Sequence, residues 1–516
     1  MTPRDQASLQ RLVTGAAVAI AVLLMLMLTV VPVANNDIWI QMKVGQLIVE
    51  TGEIPDTVLF AFTTVRDNHF NAHEWLASVV YHECDRLLGL QHLRWVVGAF
   101  ALAQFGVACT LARRQSGSLG AALILAMLAM ACANFRYVLR PELFALLLLM
   151  LHLLVLDIHR SRRRWPILLW TLPLAVLWAN CHGSFLLGPG IAALFAVGEG
   201  LSGALAAPGG AAARLAAGWR RGSPYALAAV GMAAASLANP EGWHLLAFPF
   251  QLQQSGLTRL LIKEWLPTFS PLFTIERAFW IFAVVGLAAL VLVARLRRFL
   301  EPTDALLFLV FAVLALERNR HVVWFGFVAL GVCARLLGAR GIDRRRELAW
   351  RGAGLGLALA LLCACAAFGN AWHATPFSAP SNNFGPALVA ELDDPAMSGN
   401  VLNSYELGGE LIYRDWPRLK PSIDSRVDSY GDDYLLFSTE LLQDEAALDL
   451  FVEGNRVDYM LLLKRDFDLK LRSMPSIRAA WHVRLTDGRI FLLERNRPLA
   501  AQAASAGVPL ASHMLR

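Results

Sequence analysis

Apolar runs long enough to cross a bilayer recur along this chain, and they leave few folds open to it. A membrane helix needs about 20 apolar residues, within a range of about 17–25. Runs of that order fall near 12–33, 94–112, 118–134, 141–157, 165–180, 184–203, 224–239, 277–295, 303–317, 321–337 and 350–370. Backbone N–H and C=O groups in hydrocarbon must be paired within their own segment, so each run is expected to be a helix. The pattern predicts a mainly α, polytopic membrane protein with about eleven spans. Segment 243–262 is amphipathic and is expected to lie in the membrane interface. Composition agrees: 56% of residues are hydrophobic, 17% are charged and the mean hydropathy is +0.49. Soluble domains run nearer 45–50% apolar.

The charges sit between the apolar runs and set the topology. The N-terminal MTPRDQASLQR is short and basic. The run after it is too long for a signal-peptide core and lacks a small-residue cleavage site, so it is expected to be a retained first span. With the N-terminus in the cytoplasm, the inner loops hold Arg113 and Arg114, Arg160 to Arg164, Arg214 with Arg220 and Arg221, Arg295 to Arg298, and Arg335 to Arg351. Every strongly basic short loop then falls on the cytoplasmic side. The net charge of +6 is accounted for by these loops. No aromatic-interleaved basic patch of the single-strand-binding kind is present, so no nucleic acid is expected. Of the seven cysteines, Cys109, Cys132, Cys333, Cys363 and Cys365 lie within apolar spans and read as small apolar residues.

The outer loops collect a different set of side chains. The first, 34–93, is large and carries Asp37, His73 and Glu74. Within it, 38–49 and 74–88 are expected to be amphipathic interfacial helices. Asp37 can cap the first of these helices, act as a general base, or help hold a metal ion. On a helix His73 and Glu74 would point about 100° apart and could not face one atom. His73–Glu74 is no zinc motif, since no second histidine follows at the right spacing. Further outer loops bring Arg136, Arg140 and Glu142, then Asn180 and His182 in WANCHGS, then Glu264 beside Trp265, then Arg318 and Arg320 in ERNRH. Guanidinium forks suit phosphate oxygens, and snorkelling is the competing use of an interfacial arginine. Trp265 reads either as a sugar-stacking ring or as an interfacial anchor. The candidate catalytic residues are Asp37, His73 and Glu74. The candidate substrate-binding residues are Arg140, Glu142, Asn180, His182, Glu264, Arg318 and Arg320.

Residues 371–516 change character. Segments 401–404, 420–424, 458–464, 481–486 and 489–494 read as strands, 434–453 as a helix, and Asp487-Gly488 as a hairpin turn. A small α/β domain is expected on the same outer side, giving two domains, 1–370 and 371–516. Asp424, Arg426 and Asp428 read either as a solvated loop or as substrate contacts. No Walker A or glycine-rich dinucleotide loop is present.

The stretches NDIWIQMKVGQLIVETGEIP, FAFT, NAHEWL, RPELF, WANCHGSFLLG, NPEGW, KEW, ERNRH, YELGGELIYRDWP and IDSR together resemble a group of bacterial polytopic proteins placed by fold near the GT-C glycosyltransferases. The resemblance implies a transferase of the inner membrane that moves a sugar from a polyprenyl-phosphate donor to a lipid or glycan acceptor on the outer face. It implies an acidic residue early in the first outer loop, and Asp37 is the matching position. Many such enzymes carry two adjacent acidic residues there. Asp37 is followed by Ile38, which speaks against a paired-carboxylate mechanism dependent on a divalent metal. The WWD-type signature of oligosaccharyltransferases is absent, which speaks against protein N-glycosylation. A lipid-linked glycan transporter or an assembly scaffold is the alternative. A transporter should show internal repeats and broken spans, and the sequence shows no repeat.

Overall fold

The computed structural model describes residues 3–29, 36–254, 263–342, 344–372, 384–471 and 474–496. Residues 255–262 of the expected interfacial segment, and 373–383 and 497–516 of the tail, lie outside them. The chain divides into two compact units, each built from separate stretches. One comprises Met1–Val33 with Cys84–Ala379, and the other Ala34–Glu83 with Pro380–Arg516. Residues 34–83 of the first loop therefore belong with the C-terminal domain and not, as their place in the sequence suggests, with the spans.

The first unit is helical. Among the described residues seven helices are long and apolar enough to cross a membrane: Ser8–Leu26, Leu90–Ser116, Leu119–Arg136, Glu142–Arg162, Gly183–Ala206, Arg277–Arg295 and Asn319–Arg340. Four further expected spans fall on helices that differ from these. Trp165–Cys181 is apolar but shorter. Ala211–Ala235 carries three arginines in its first half and Pro224 inside it. Pro302–Glu317 has 16 residues, and Arg344–Trp372 opens on three arginines. Two of the helices meet backbone to backbone. A Cβ at Gly222 would lie 2.5 Å from the Ala196 carbonyl oxygen, and one at Gly218 would lie 2.8 Å from that of Gly200. Small residues are what let membrane helices approach this closely.

Several arginines that set the topology are paired inside this unit. Glu199 is fully buried and binds Arg160, Arg163 and Arg221 at 2.7, 2.8 and 2.7 Å. Arg160 also reaches Asp304 at 3.0 Å and Glu301 at 2.7 Å. Arg335 bridges Asp304 to Asp157 at 3.0 and 3.2 Å, and Arg114 closes on Asp157 at 3.2 Å. Each arginine here has a carboxylate partner, which is the condition for burying charge at tolerable cost.

The second unit carries a five-stranded sheet in the order β2-β1-β3-β5-β4. Its strands are β1 (Gly399–Asn403), β2 (Leu419–Pro421), β3 (Val457–Leu463), β4 (Trp481–Thr486) and β5 (Ile490–Arg495). β1, β2 and β3 are parallel, with Gly399 opposite Leu419 and Val401 opposite Tyr459. β5 is antiparallel to β3 and β4, with Leu461 opposite Leu492. The period-two alternation of a strand splits β3 between two cores. Met460 and Leu462 enter one, with Phe451 and Leu493, while Tyr459 and Leu461 enter the other, with Leu411 and Leu492. The expected helix at 434–453 is two helices, Asp432–Leu441 and Glu445–Gly454. The break falls at Asp444, whose carboxylate accepts from the Ala446 and Ala447 N–H groups and caps the second helix.

The first-loop helix, Asp37–Thr51, belongs to this unit. Its apolar face is covered by protein: Ile40 and Val44 pack with Phe60 and Ile412. An interfacial helix would instead leave that face to lipid. Asp37 is its first residue and half-buried, and Asn36 holds the cap position without a side-chain cap bond.

Candidate functional site

Five of the seven candidate binding residues, Arg140, Glu142, Glu264, Arg318 and Arg320, gather in the first unit around one carboxylate. Glu264 lies in the turn Lys263–Trp265. Arg136, in the turn after the helix Leu119–Ala133, places Nη1 at 2.7 Å from Glu264 and donates Nε–H to Glu142 at 2.6 Å. Arg140 binds the same oxygen of Glu264. Glu142 opens the helix Glu142–Arg162, where a carboxylate suits the dipole, and is 3% exposed. Burial alone would push the Glu264 carboxyl up. Arg136 and then Arg140 outweigh that and hold it well below the usual carboxylate range.

The turn is pinned to the loop at 315–320. The Trp265 carbonyl accepts from Arg318 Nη1 at 2.7 Å, and the Leu266 carbonyl accepts from the Asn319 N–H at 3.2 Å. Thr268 donates to the Ala315 carbonyl at 2.5 Å. Arg320 lies with its guanidinium 4.2 Å from the centroid of the Trp265 ring. Trp265 is thus buried under an arginine, so it serves neither as an open sugar platform nor as a lipid-facing anchor. Among the described residues Arg320 has no ion pair. Arg136, Arg140 and Arg320 face two carboxylates, and Arg320 is the cation left over. A half-buried guanidinium over an indole, next to fixed like charges, is suited to a phosphate or carboxylate.

Asn180 and His182 form a second group. Asn180 donates to the Val176 and Ala238 carbonyls, both at 2.8 Å, and accepts from Asn239 at 3.2 Å. It therefore brackets two helix ends. His182 Nδ1 accepts from the Ser184 N–H at 3.0 Å, which leaves any ring proton on Nε2.

The candidate catalytic residues Asp37, His73 and Glu74 lie in the second unit. His73 and Glu74 precede the helix Trp75–Leu88. Off the helix they are not splayed, and His73 Nε2 comes within 3.7 Å of Glu74 Oε1. Glu74 accepts from Gln41 at 2.8 Å, and Gln41 in turn accepts from Ser78. Gln41 is one helical turn after Asp37, so this chain ties the Asp37 helix to the His73-Glu74 pair. That i, i+4 spacing was the signal available in the sequence. Burial lowers the His73 imidazole to about 4, against a smaller opposing pull from the Asn71 carbonyl. Above that pH the ring is neutral, and at 3.7 Å it makes no ion pair with Glu74. Among the described residues no three His, Cys, Asp or Glu side chains converge as a metal site requires.

No family model matches the chain, and no curated protein matches it. Solved structures do. The archaeal oligosaccharyltransferase AglB of Archaeoglobus fulgidus, in complex with an inhibitory peptide and a dolichol-phosphate, matches with a TM-score of 0.54 at 13% identity, over 94% of this chain and 75% of that one. The Archaeoglobus fulgidus oligosaccharyltransferase in complex with zinc and sulfate matches with a TM-score of 0.55 at 14% identity, over 94% and 74%. At such identity the likeness is one of architecture: the chain is a multi-pass membrane protein with a GT-C-like fold.

Proposed function

We propose that this chain is a membrane glycosyltransferase that moves a sugar from a polyprenyl-phosphate-linked donor to a hydroxyl acceptor at the outer face of a bacterial inner membrane. The observation that carries the reading is Arg320, stacked on Trp265 beside the Arg136–Glu142–Glu264–Arg140 cluster and without a carboxylate of its own among the described residues. The fold supports it, being shared with enzymes of which one was solved with a dolichol-phosphate.

In this reading Arg320 and Arg140 bind the donor phosphate. The sugar C1–O bond to phosphate breaks, and negative charge grows on the departing oxygen. Fixed guanidinium groups stabilise that charge more than the ground state, which is what lowers a barrier. Asp37 takes the proton of the attacking hydroxyl. His73, kept neutral, positions sugar or acceptor together with Glu74 and His182.

The test uses purified protein in nanodiscs with radiolabelled polyprenyl-phosphate sugars. Wild type transfers label to acceptor or releases it, Asp37→Asn does not, and both bind donor. If wild type binds donor and never turns it over, the enzyme reading is lost and a transporter or scaffold replaces it.

A further inference from the structure

Open sheets with parallel strands hold their ligands outside the carboxyl ends of the strands. In this α/β domain those ends are filled by the chain itself. Between β1 and β3 the opening is closed by Ser404, which accepts from the Leu463 N–H at 2.9 Å and donates to Asp466 at 2.6 Å. Beyond β2 the first loop is docked. The Phe62 N–H donates to the Pro421 carbonyl at 3.2 Å. Tyr434 bridges Thr63, at 3.3 Å, and the Ser422 carbonyl, at 2.8 Å. Asn68 donates to the Ser429 carbonyl at 3.0 Å.

Arg426 is the centre of this docking. Asp424 grips it through two bonds, at 3.0 and 2.6 Å, and is itself fully buried. The guanidinium then donates to the Val58 carbonyl at 2.8 Å and lies 4.8 and 4.9 Å from the centroids of Phe60 and Phe70. The pair is therefore not a solvated loop. Earlier in the chain the helix Gly408–Asp415 packs along Asp37–Thr51. Tyr413 meets Trp39 with ring centroids 5.1 Å apart, and Ile412 packs with Ile40. At the end nearest Asp37 the backbones close up: a Cβ on Gly409 would lie 2.7 Å from the Asn36 carbonyl oxygen.

We propose that the C-terminal α/β domain takes the first loop as its ligand and sets the place of Asp37, with Arg426 and Gly409 as positioning residues. The inference rests on the glycosyl-transfer reading only for the consequence in rate. Arg426 fixes the loop on both sides of Phe60, and Gly409 sets how near the start of the Asp37 helix lies to the domain. Lysine cannot replace Arg426, because it lacks the planar fork that holds Asp424, Val58 and two rings together.

The experiment combines amide exchange and kinetics on full-length protein in nanodiscs. In Arg426→Lys, exchange of amides 57–70 rises at least about tenfold while β1 and β3 keep their protection. In Gly409→Ala, exchange at the start of helix 37–51 rises, and kcat falls between about tenfold and a hundredfold with the donor KM unchanged. A merely structural role would move neither the split between kcat and KM nor one segment's exchange alone. Should Arg426→Lys fail to fold, Tyr434→Phe gives the same exchange readout. Wild-type exchange in both segments overturns the proposal. If wild type shows no transfer at all, the glycosyl-transfer reading fails, and the exchange data still decide whether the domain holds the loop.

Discussion

Two clusters of arginines and carboxylates occupy opposite ends of one helix, Glu142–Arg162, and they are built on different terms. About 18 residues separate Glu142 from Arg160, which is roughly 27 Å at 1.5 Å per residue and close to one hydrocarbon thickness. At the Arg160 end Arg114, Arg160, Arg163, Arg221 and Arg335 each have a carboxylate partner, and Glu199 alone serves three of them. At the Glu142 end Arg136 and Arg140 share Glu264, while Arg320 rests on Trp265. The first arrangement is complete without a ligand and ties helix ends together. The second leaves one cation to be answered from outside. Arginine content alone does not separate a structural charge cluster from a binding one; the pairing does.

The largest effect expected from breaking this contrast is at Glu199. Glu199→Gln removes a fully buried carboxylate that three guanidinium groups share, although Arg160 keeps Asp304 and Glu301, and should cost about 3–5 kcal/mol, read as a fall in thermal stability in detergent. A smaller loss would mean that the network is wetter than its burial indicates.

Next comes pH. The His73 imidazole lies at about 4 in the fold and near 6.5 when unfolded, so between those values the unfolded chain binds more protons. The contribution of His73 is therefore fully present above pH 6.5 and lost as pH falls to about 4. It should reach at most about 3 kcal/mol. Unfolding followed against pH should show this loss in wild type and not in His73→Asn.

Arg320→Gln should act on binding and not on stability. Donor affinity should weaken by roughly thirtyfold, about 2 kcal/mol, with the thermal midpoint unchanged. Equal losses in both would place Arg320 with the structural arginines. The smallest effect is at Arg318, whose partner Glu317 is 3.6 Å away and 59% exposed. Glu317→Gln should change stability by less than about 1 kcal/mol.

Much of this was legible in residue patterns, and the limits have physical causes. Strands β4 and β5 and the hairpin between them stand almost where alternation and Asp487-Gly488 place them. The 434–453 helix misled because its apolar spacing continues through Asp444, and only the cap geometry shows the stop. The arginines of the Glu264 cluster could be gathered by side of the membrane. Which one is spare depends on contacts between residues more than a hundred positions apart, such as Arg140 and Glu264. Local periodicity carries no information about such pairs. For the same reason local patterning groups the first loop with the spans that flank it, although the Val58 carbonyl accepts from Arg426 and the Asn68 amide donates to the Ser429 carbonyl.

That last contact spans 361 residues. At ribosomal speeds of about 5–20 residues per second, the first loop is made roughly 20–70 seconds before the segment that completes its fold. Throughout that interval Ile40, Val44, Phe60 and Phe70 have no Ile412, Trp416 or Arg426 to cover them. The loop must wait, exposed or chaperoned, while the intervening helices are inserted. A ribosome that stalls before residue 426 leaves a protein whose membrane helices are in place and whose earliest loop has nothing to fold against.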